Sequence, residues 1–245
     1  MIPTVERAAI PSVTTEHMIE VDRAMIDDYG IDPTRMMENA GRNLAHLARE
    51  RFLDGDPTGR RVAVLAGPGG NGGGALVAAR RLRNYGAEVT VLVTKPDEAM
   101  SPALQEQLAI VRRMGIPVGA PGDVGRARKP DVILDGLLGY SLHGAPRGMA
   151  ADLIEWANGR SVRILALDVP SGLDAATGIV LDPAIRASAT MTLALSKAGL
   201  ENPGAASVVG DLYLADISVP PDLYERVLGI EVGPIFAASE IVQLT

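Results

Sequence analysis

The sequence predicts an α/β protein: a mostly parallel sheet between two helical layers, in a doubly wound, Rossmann-like three-layer sandwich. Three observations support this fold class. Six short apolar runs are separated by segments with helical spacing. Glycine or proline follows several of these runs and would end a strand. The chain has 245 residues, 47% of them hydrophobic, which is enough for one large domain with a packed core.

Residues 1–55 are predicted to form an N-terminal helical arm. Thr14 or Thr15 has the side chain needed to cap a first helix. Asp32 and Pro33 then provide a cap and a proline at the first helical position, where its missing N–H group costs nothing. The arm should therefore contain two helices.

Beyond the arm, strands and helices alternate. Apolar runs predict strands at 61–66, 88–93, 132–134, 162–167, 190–195 and 212–217. Helical spacing predicts helices at 75–85, 102–114 and 149–158. Such alternation favours a parallel sheet covered on both faces. The simplest organisation is one domain, 1–245, with the arm at 1–55, a Rossmann-like core at 60–220 and a C-terminal tail at 221–245.

Composition and charge exclude several classes of function. A formal net charge of −7 and 3% aromatic residues disfavour nucleic-acid binding. The absence of cysteine excludes disulfides, thiolate nucleophiles and cysteine-ligated metals. No apolar run is long enough to span a membrane, and the first residues lack the pattern of a signal peptide. We therefore expect a cytoplasmic protein with no membrane or nucleic-acid partner.

The segment 67–74 (GPGGNGGG) follows a predicted strand and contains six glycines. Such a loop lets main-chain N–H groups approach an anion closely, so we predict that it contacts a ligand; a tight turn is the alternative. The second strand is followed by Lys95 and not by an acid, which disfavours an ordinary NAD dehydrogenase. No Lys-Ser or Lys-Thr pair follows the glycines, so the segment is not a Walker loop.

Two aspartates are predicted at the ends of strands. Asp135 directly follows an apolar run, and Asp168 ends the most hydrophobic one. Ligands bind beyond the carboxyl ends of parallel strands, so both carboxylates should meet the glycine segment in one crevice. Asp168 is a better acid/base candidate than Ser171 is a nucleophile, and a turn aspartate is the alternative. Oxygens of Asn71, Ser171 and the aspartates would also suit a hard cation.

Six segments, in the right order, resemble motifs of the NAD(P)H-hydrate epimerase family, of the YjeF N-terminal domain type. They are RMMENAG at 35–41, GPGGNGGGALVAARRL at 67–82, DGLLGYS at 135–141, DVPSGLD at 168–174, KAG at 197–199 and GDLYLADI at 210–217. The resemblance covers nearly the whole chain. Where the family has N-N-G-G-D-G, this chain has Gly70 and Gly74 in place of the first asparagine and the aspartate.

The resemblance implies an isomerase that interconverts the R and S forms of hydrated NADH or NADPH, written NAD(P)HX. Water would leave and return at the nicotinamide ring through proton transfer, with Asp168 as the acid/base centre and Lys197 as a second candidate. It also implies a potassium ion held by Asn71, Asp135 and Ser171. The implied ligand contacts are Gly70, Asn71, Gly72, Gly73, Gly74, Gly139, Tyr140, Ser141, Leu142, His143, Gly144, Ala145 and Asp168. The implied partners are a second copy of the chain, in a homodimer, and a separate dehydratase.

Two other functions remain open at this point. The glycines at positions 70 and 74 allow an isomerase or hydro-lyase that acts on another small cyclic or nucleotide-like molecule. The same altered segment allows a non-catalytic binding or scaffold module. The presence of Asp168 and Lys197 argues against the second of these alternatives.

Overall fold

The computed structural model describes residues 2–120, 122, 129–142 and 144–245. The strands are β1 (Thr4–Val5), β2 (Ser12–Val13), β3 (Arg61–Ala66), β4 (Glu88–Val93), β5 (Val118–Gly119), β6 (Val132–Gly136), β7 (Arg163–Leu167), β8 (Ala189–Leu193), β9 (Ser196–Lys197), β10 (Asp211–Ala215) and β11 (Ile241–Leu244). The helices are α1 (Thr15–Asp27), α2 (Pro33–Phe52), α3 (Gly70–Asn84), α4 (Pro102–Arg113), α5 (Met149–Asn158), α6 (Ala206–Val209) and α7 (Pro221–Leu228). Within these residues, none of the helices is both long and apolar enough to cross a bilayer.

Nine of the strands form one sheet, in the order β1-β11-β10-β8-β7-β6-β3-β4-β5. Every neighbouring pair from β10 to β5 is parallel. At the other edge, β11 runs antiparallel to β10 and pairs in parallel with β1. β2 and β9 form a separate two-stranded parallel sheet. The predicted mostly parallel α/β fold is confirmed.

Both faces of the main sheet are buried, as its apolar strands require. On β3, Val62 and Val64 face the larger hydrophobic core, which α2 and α3 cover. Ala63 and Leu65 face a second core, to which Leu153 of α5 contributes. Alternate residues of one strand therefore pack against different helical layers.

The two helices of the arm begin where their capping residues predict. The Thr14 hydroxyl accepts a hydrogen bond of 3.2 Å from the main-chain N–H of His17 at the start of α1. The Asp32 carboxylate accepts one of 2.9 Å from the N–H of Arg35 in α2, and Pro33 occupies the first helical position. Each cap satisfies an N–H group that has no partner within its helix.

The two ends of the chain differ from the predicted helical arm and tail. Residues 241–244 form β11, whose apolar side chains Ile241, Val242 and Leu244 are buried. The arm contributes β1 to this sheet edge and β2 to the small sheet. The segment expected to be a tail is therefore a strand of the main sheet. It is stabilised there because its backbone pairs with β10 and three of its apolar side chains are buried.

The chain reverses its direction across the sheet between β3 and β6. It moves from β3 through β4 to β5, returns to place β6 beside β3, and then continues through β7 and β8 to β10. Helices that cross on opposite sides leave a crevice at such a reversal, beyond the carboxyl ends of the strands. The segments that follow β3, β6 and β7 are those that the sequence analysis singled out.

Candidate active site

A cavity of about 360 Å³ lies at this reversal point. Most of its lining is apolar and includes Met18, Ile26, Met36, Met37, Leu138 and Leu167. Among the described residues that line it, the charged side chains are Asp22, Asp168 and Lys197. An apolar cavity with a few converging polar groups has the usual character of a small-molecule site.

Asp168 and Lys197 form a buried ion pair on the wall of the cavity. The Lys197 ammonium lies 2.5 Å from Oδ1 of Asp168, and the two residues are only 1% and 2% exposed. Lys197 also donates 2.8 Å and 3.3 Å hydrogen bonds to the Leu193 carbonyl and the Thr192 hydroxyl. These contacts use the three N–H donors of the lysine, so its position is fixed.

The hydrogen bonds that the described residues donate to the Asp168 side chain all end on one of its two carboxylate oxygens. Its Oδ1 also accepts hydrogen bonds from the Leu193 N–H at 3.3 Å and from the Thr192 hydroxyl at 3.4 Å. Among the described residues, no group donates to Oδ2. The backbone of Asp168 has φ of +67°, a conformation that non-glycine residues rarely adopt and that recurs at functional sites.

The glycine segment differs from the predicted loop, because α3 begins at Gly70. Its first residues line the cavity: Gly69, Gly70, Asn71 and Gly72. Gly73 and Gly74 do not line it. A Cβ atom on Gly73 would lie 2.3 Å from the sulfur of Met37, and one on Gly74 would lie 2.9 Å from a methyl carbon of Leu167. Gly73 and Gly74 are therefore packing positions, where α2 and a strand approach the backbone of α3 closely, and their ligand contacts stay predictions.

Asp135 lies behind the cavity and does not line it. It is part of β6 and does not follow the strand, since the β3–β6 ladder continues to the Ala66–Gly136 pair. The side chain is 0% exposed, and its carboxylate accepts 2.7 Å and 2.9 Å hydrogen bonds from the Ser171 hydroxyl and N–H. The Leu137 N–H donates a third, at 3.2 Å. The predicted proximity of Asp135 and Ser171 is present, but both lie in the wall.

Burial raises the pKa of Asp135 to about 6, although the hydrogen bonds from Ser171 and Leu137 favour its ionised form. Among the described residues, no basic side chain contacts this carboxylate. A buried negative charge without a counter-ion is costly, so a cation bound beside Asp135 would stabilise the ionised carboxylate.

Asn71 is connected to the same wall through Leu138. Its Nδ2 donates hydrogen bonds of 3.1 Å to the Leu138 carbonyl and 2.9 Å to the Leu167 carbonyl. The Ser171 hydroxyl accepts a hydrogen bond of 2.9 Å from the Leu138 N–H. The three predicted cation ligands, Asn71, Asp135 and Ser171, therefore surround one short stretch of chain after β6.

Only some of the predicted ligand-contact residues in the loop after β6 line the cavity. Gly139, Tyr140 and Ser141 line the cavity. Leu142, Gly144 and Ala145 are predicted ligand contacts that are not among the residues lining the cavity. His143 lies outside the described residues.

Asp22 is a cavity residue that the sequence analysis missed. Its carboxylate accepts a 2.5 Å hydrogen bond from the hydroxyl of Tyr140, which joins α1 to the loop after β6. The available signal was its spacing on α1, because Asp22 lies four residues from both Met18 and Ile26, which also line the cavity. Residues at this spacing share one face of the helix, and an acid between two apolar side chains on a face that packs against the protein indicates a candidate functional residue.

Asp22→Asn should stabilise the fold at neutral pH and not at acidic pH. Burial raises the pKa of Asp22, and the Tyr140 hydrogen bond lowers it only in part. The folded state thus holds the proton more tightly than the unfolded state does. The free energy of unfolding then falls as the pH rises from about 4, the usual value for an aspartate, through the raised pKa. Urea unfolding between pH 4 and pH 8 should show the parent and the variant diverging towards pH 8.

The control for this experiment is Asp27→Asn, on the exposed side of the same helix. Its stability should follow that of the parent protein across the range. An Asp22→Asn variant that is less stable than the parent at pH 8 would contradict the prediction. That result would mean that the hydrogen bond between residue 22 and Tyr140 outweighs the burial of the charge.

The arrangement is suited to proton transfer on a small, partly apolar ligand. The buried Asp168 carboxylate, the fixed Lys197 ammonium group and the half-buried acid Asp22 share one cavity. Such groups can move protons at a bound ring, while the apolar lining limits access of bulk water.

Residues 33–199 match the family described as YjeF-related protein N-terminus. The chain is 40% identical over 245 residues to the NAD(P)H-hydrate epimerase of Dehalogenimonas lykanthroporepellens, covering 99% of this chain and 96% of that protein. It is 33% identical over 220 residues to the NAD(P)H-hydrate epimerase of Rhodopirellula baltica, covering 89% and 88%. It is also 40% identical over 213 residues to the bifunctional NAD(P)H-hydrate repair enzyme Nnr of Hyperthermus butylicus, covering 82% of this chain and 38% of that protein.

The fold is also similar to a solved structure, that of the yeast protein YNL200c. The TM-score is 0.78 and the identity 24%, with 96% of this chain and 100% of that chain covered. This likeness supports the fold alone. The family match and the identity to near-full-length relatives confirm the resemblance that the motifs indicated, and they show that the chain belongs to the YjeF N-terminal domain family.

Proposed function

We propose that this protein is an NAD(P)H-hydrate epimerase, which interconverts the R and S forms of hydrated NADH and NADPH. The observation that carries the proposal is the buried Asp168–Lys197 pair on the wall of the cavity, with one carboxylate oxygen free. The relatives named for this activity, at 33% and 40% identity, support it.

The reaction needs proton transfer and no redox step. In the hydrated ring, the carbon that carries the hydroxyl is bonded to the ring nitrogen. Protonation of the hydroxyl lets water leave while the nitrogen lone pair forms a C=N bond, and water can then return to either side of the carbon. Asp168 is the acid/base group in this proposal, and Lys197 holds its carboxylate in place. The cavity segments 69–72 and 139–141 would contact the ligand.

A potassium ion held by Asn71, Asp135 and Ser171 is part of the proposal. The donor set fits a hard monovalent cation, because it offers amide, hydroxyl and carboxylate oxygens and a buried negative charge. Among the described residues, none donates a hydrogen bond to Oδ1 of Asn71, so this oxygen remains available. When bound, the ion would supply the positive charge that the Asp135 carboxylate otherwise lacks.

Potassium should raise the melting temperature of the protein. With a dissociation constant near 10 mM, about 100 mM potassium would add roughly 1.4 kcal/mol of stability. For a chain of this size that corresponds to a rise in Tm of about 3–6 °C. Thermal unfolding in potassium chloride and in choline chloride, at equal ionic strength, measures the difference.

Asp135→Asn should lose this potassium-dependent rise. Asp22→Asn is the matched control, because it removes a cavity carboxylate that is outside the proposed ligand set, and it should keep the rise. Equal shifts in the two salts, or a full potassium effect in Asp135→Asn, would contradict the proposed site.

The epimerase activity is tested with the purified protein and separated R and S epimers of hydrated NADH. Chromatography should show that the protein speeds their approach to equilibrium well beyond the uncatalysed rate. No acceleration, with potassium present, would reject the proposed function and favour another substrate or a binding role. The homodimer, the separate dehydratase and the cytoplasmic location remain predictions.

A further inference from the structure

The Asp168–Lys197 pair does not by itself account for inversion at the hydroxyl-bearing carbon. The inference below assumes the proposed epimerase function. If the hydroxyl leaves from one face of the ring and returns to the other, a proton must be given on one face and taken on the opposite face. A single carboxylate fixed by Lys197, Thr192 and Leu193 cannot serve both faces of a bound ring without moving.

A second hydrogen-bonded pair, Asp22 and Tyr140, lies in the same cavity. Asp22 comes from α1 and Tyr140 from the loop after β6, whereas Asp168 and Lys197 lie at the ends of strands. The Tyr140 hydroxyl donates its hydrogen bond to Oδ2 of Asp22. Among the described residues, no hydrogen bond joins this pair to Asp168 or Lys197.

The two pairs are nevertheless close enough to interact through space. Burial raises the pKa of Asp22 most, and the charges of Lys197 and Asp168 then act on it in opposite directions. Burial also raises the pKa of Tyr140, and the negative charges of Asp22 and Asp168 raise it further. Since both pairs line one cavity and, among the described residues, no hydrogen bond joins them, a ligand bound there can contact both pairs.

We propose that Asp22 is the second catalytic acid/base of the epimerase, on the face of the ring opposite Asp168, with Tyr140 positioning its carboxyl group. One acid protonates the departing hydroxyl, the C–O bond breaks, and the ring nitrogen lone pair forms the C=N bond. Water then adds from the other side and gives its proton to the carboxylate there. Protons and electrons balance without a further reactant, and the reverse reaction exchanges the two roles.

A raised pKa fits this role for Asp22, because a carboxyl group that holds its proton more tightly than a free aspartate is better suited to act as an acid. The apolar side chains of Met18 and Ile26, one turn away on either side, line the same cavity. The pKa of Tyr140 is raised further by burial, so the tyrosine keeps its proton and donates it in the hydrogen bond to Oδ2 of Asp22.

The test uses each purified epimer in water labelled with heavy oxygen, with parent protein, Asp22→Asn, Asp168→Asn and Tyr140→Phe. Asp22→Asn should lower the rate of interconversion by at least about 100-fold, the lower end of the usual contribution of a general acid or base. It should still exchange the oxygen of the one epimer whose hydroxyl faces Asp168. Asp168→Asn should show the opposite epimer preference. Tyr140→Phe should lower the rate of interconversion less than Asp22→Asn does, and it should exchange the oxygen of the same epimer as Asp22→Asn.

The surface of the protein offers a matched pair as a control. Tyr29 donates a 2.8 Å hydrogen bond to Asp222 away from the cavity, so Tyr29→Phe and Asp222→Asn make the same chemical changes there. Both controls should match the parent protein in rate and in oxygen exchange. Because Asp22→Asn should be at least as stable as the parent near pH 8, lost activity there would not reflect unfolding.

Two results would overturn the inference. One is an Asp22→Asn protein that interconverts the epimers at nearly the parent rate. The other is the same epimer preference, or no residual exchange of either epimer, in both Asp22→Asn and Asp168→Asn. Failure of the parent protein to speed interconversion is a separate result, which would reject the epimerase function itself.

Discussion

Asp168→Asn should lower kcat/KM for epimerisation by about 10²- to 10⁴-fold, the range expected when a general acid/base is removed. Asparagine tolerates the positive φ of this position nearly as well as aspartate does. Its amide oxygen can still accept hydrogen bonds from Lys197 and Leu193. What it cannot do is exchange a proton at the free oxygen. Rates with each separated epimer, measured at saturating and low concentrations, give the two kinetic parameters.

The same substitution should weaken the fold. Lys197 is 1% exposed, so removing the charge of Asp168 leaves a buried ammonium without its counter-ion. Breaking a buried pair in this way typically costs about 3–5 kcal/mol. Lower activity in the single variant could therefore come from partial unfolding. A second variant is needed to separate chemistry from stability.

The double variant Asp168→Asn with Lys197→Met provides that separation. It removes both charges and keeps a long side chain at position 197, so much of the lost stability should return. Its activity should stay as low as that of the single variant. If the double variant regained activity together with stability, Asp168 would be a structural residue and its acid/base role would be wrong. Urea unfolding and the epimer assay, on the same samples, measure both quantities.

Local patterns predicted the central part of the fold well. The strands β3 and β4 and the helix α5 begin and end at the predicted residues, because each has a clear apolar pattern between turn residues. The edge of the sheet was not predicted. β1 has two residues and β11 four, which is too few to show a period, and their pairing depends on where the far ends of the chain meet.

The candidate site was predictable only where its residues follow strands. Asp168 and Gly70 border the cavity because they come after β7 and β3, and the strand-end rule locates such positions. Asp22 was missed because nothing local in α1 indicates that its carboxyl group meets Tyr140, 118 residues away. The close packing at Gly74 could not be predicted for a similar reason: a glycine needed for helix packing and one needed for ligand approach look identical in a sequence.

Gly41→Ala should destabilise the protein, although alanine favours helices more than glycine does. A Cβ atom at this position of α2 would lie 2.3 Å from the main-chain oxygen of Gly74 and 2.4 Å from Cβ of Val77. Neither atom is the mobile end of a side chain, so α2 and α3 would have to move apart. Overpacking typically costs about 1–3 kcal/mol, and the two very short contacts place Gly41→Ala near the upper end of this range, against a gain of about 1 kcal/mol from helix propensity. The net loss of about 2 kcal/mol should lower Tm by roughly 4–8 °C.

Gly70→Ala is the matched control, because it makes the same change at the start of the neighbouring helix. A Cβ atom on Gly70 would have no heavy atom within 4 Å, and its φ is not positive. Restricting the unfolded chain should then stabilise the protein by about 0.4–1 kcal/mol. Opposite signs for the two variants would show that the two glycines differ in their packing: Gly41 permits the contact of α2 with α3, whereas Gly70 has open space beside it. A neutral Gly41→Ala would mean that the two helices can separate at little cost, and that close packing is not why glycine occupies this position.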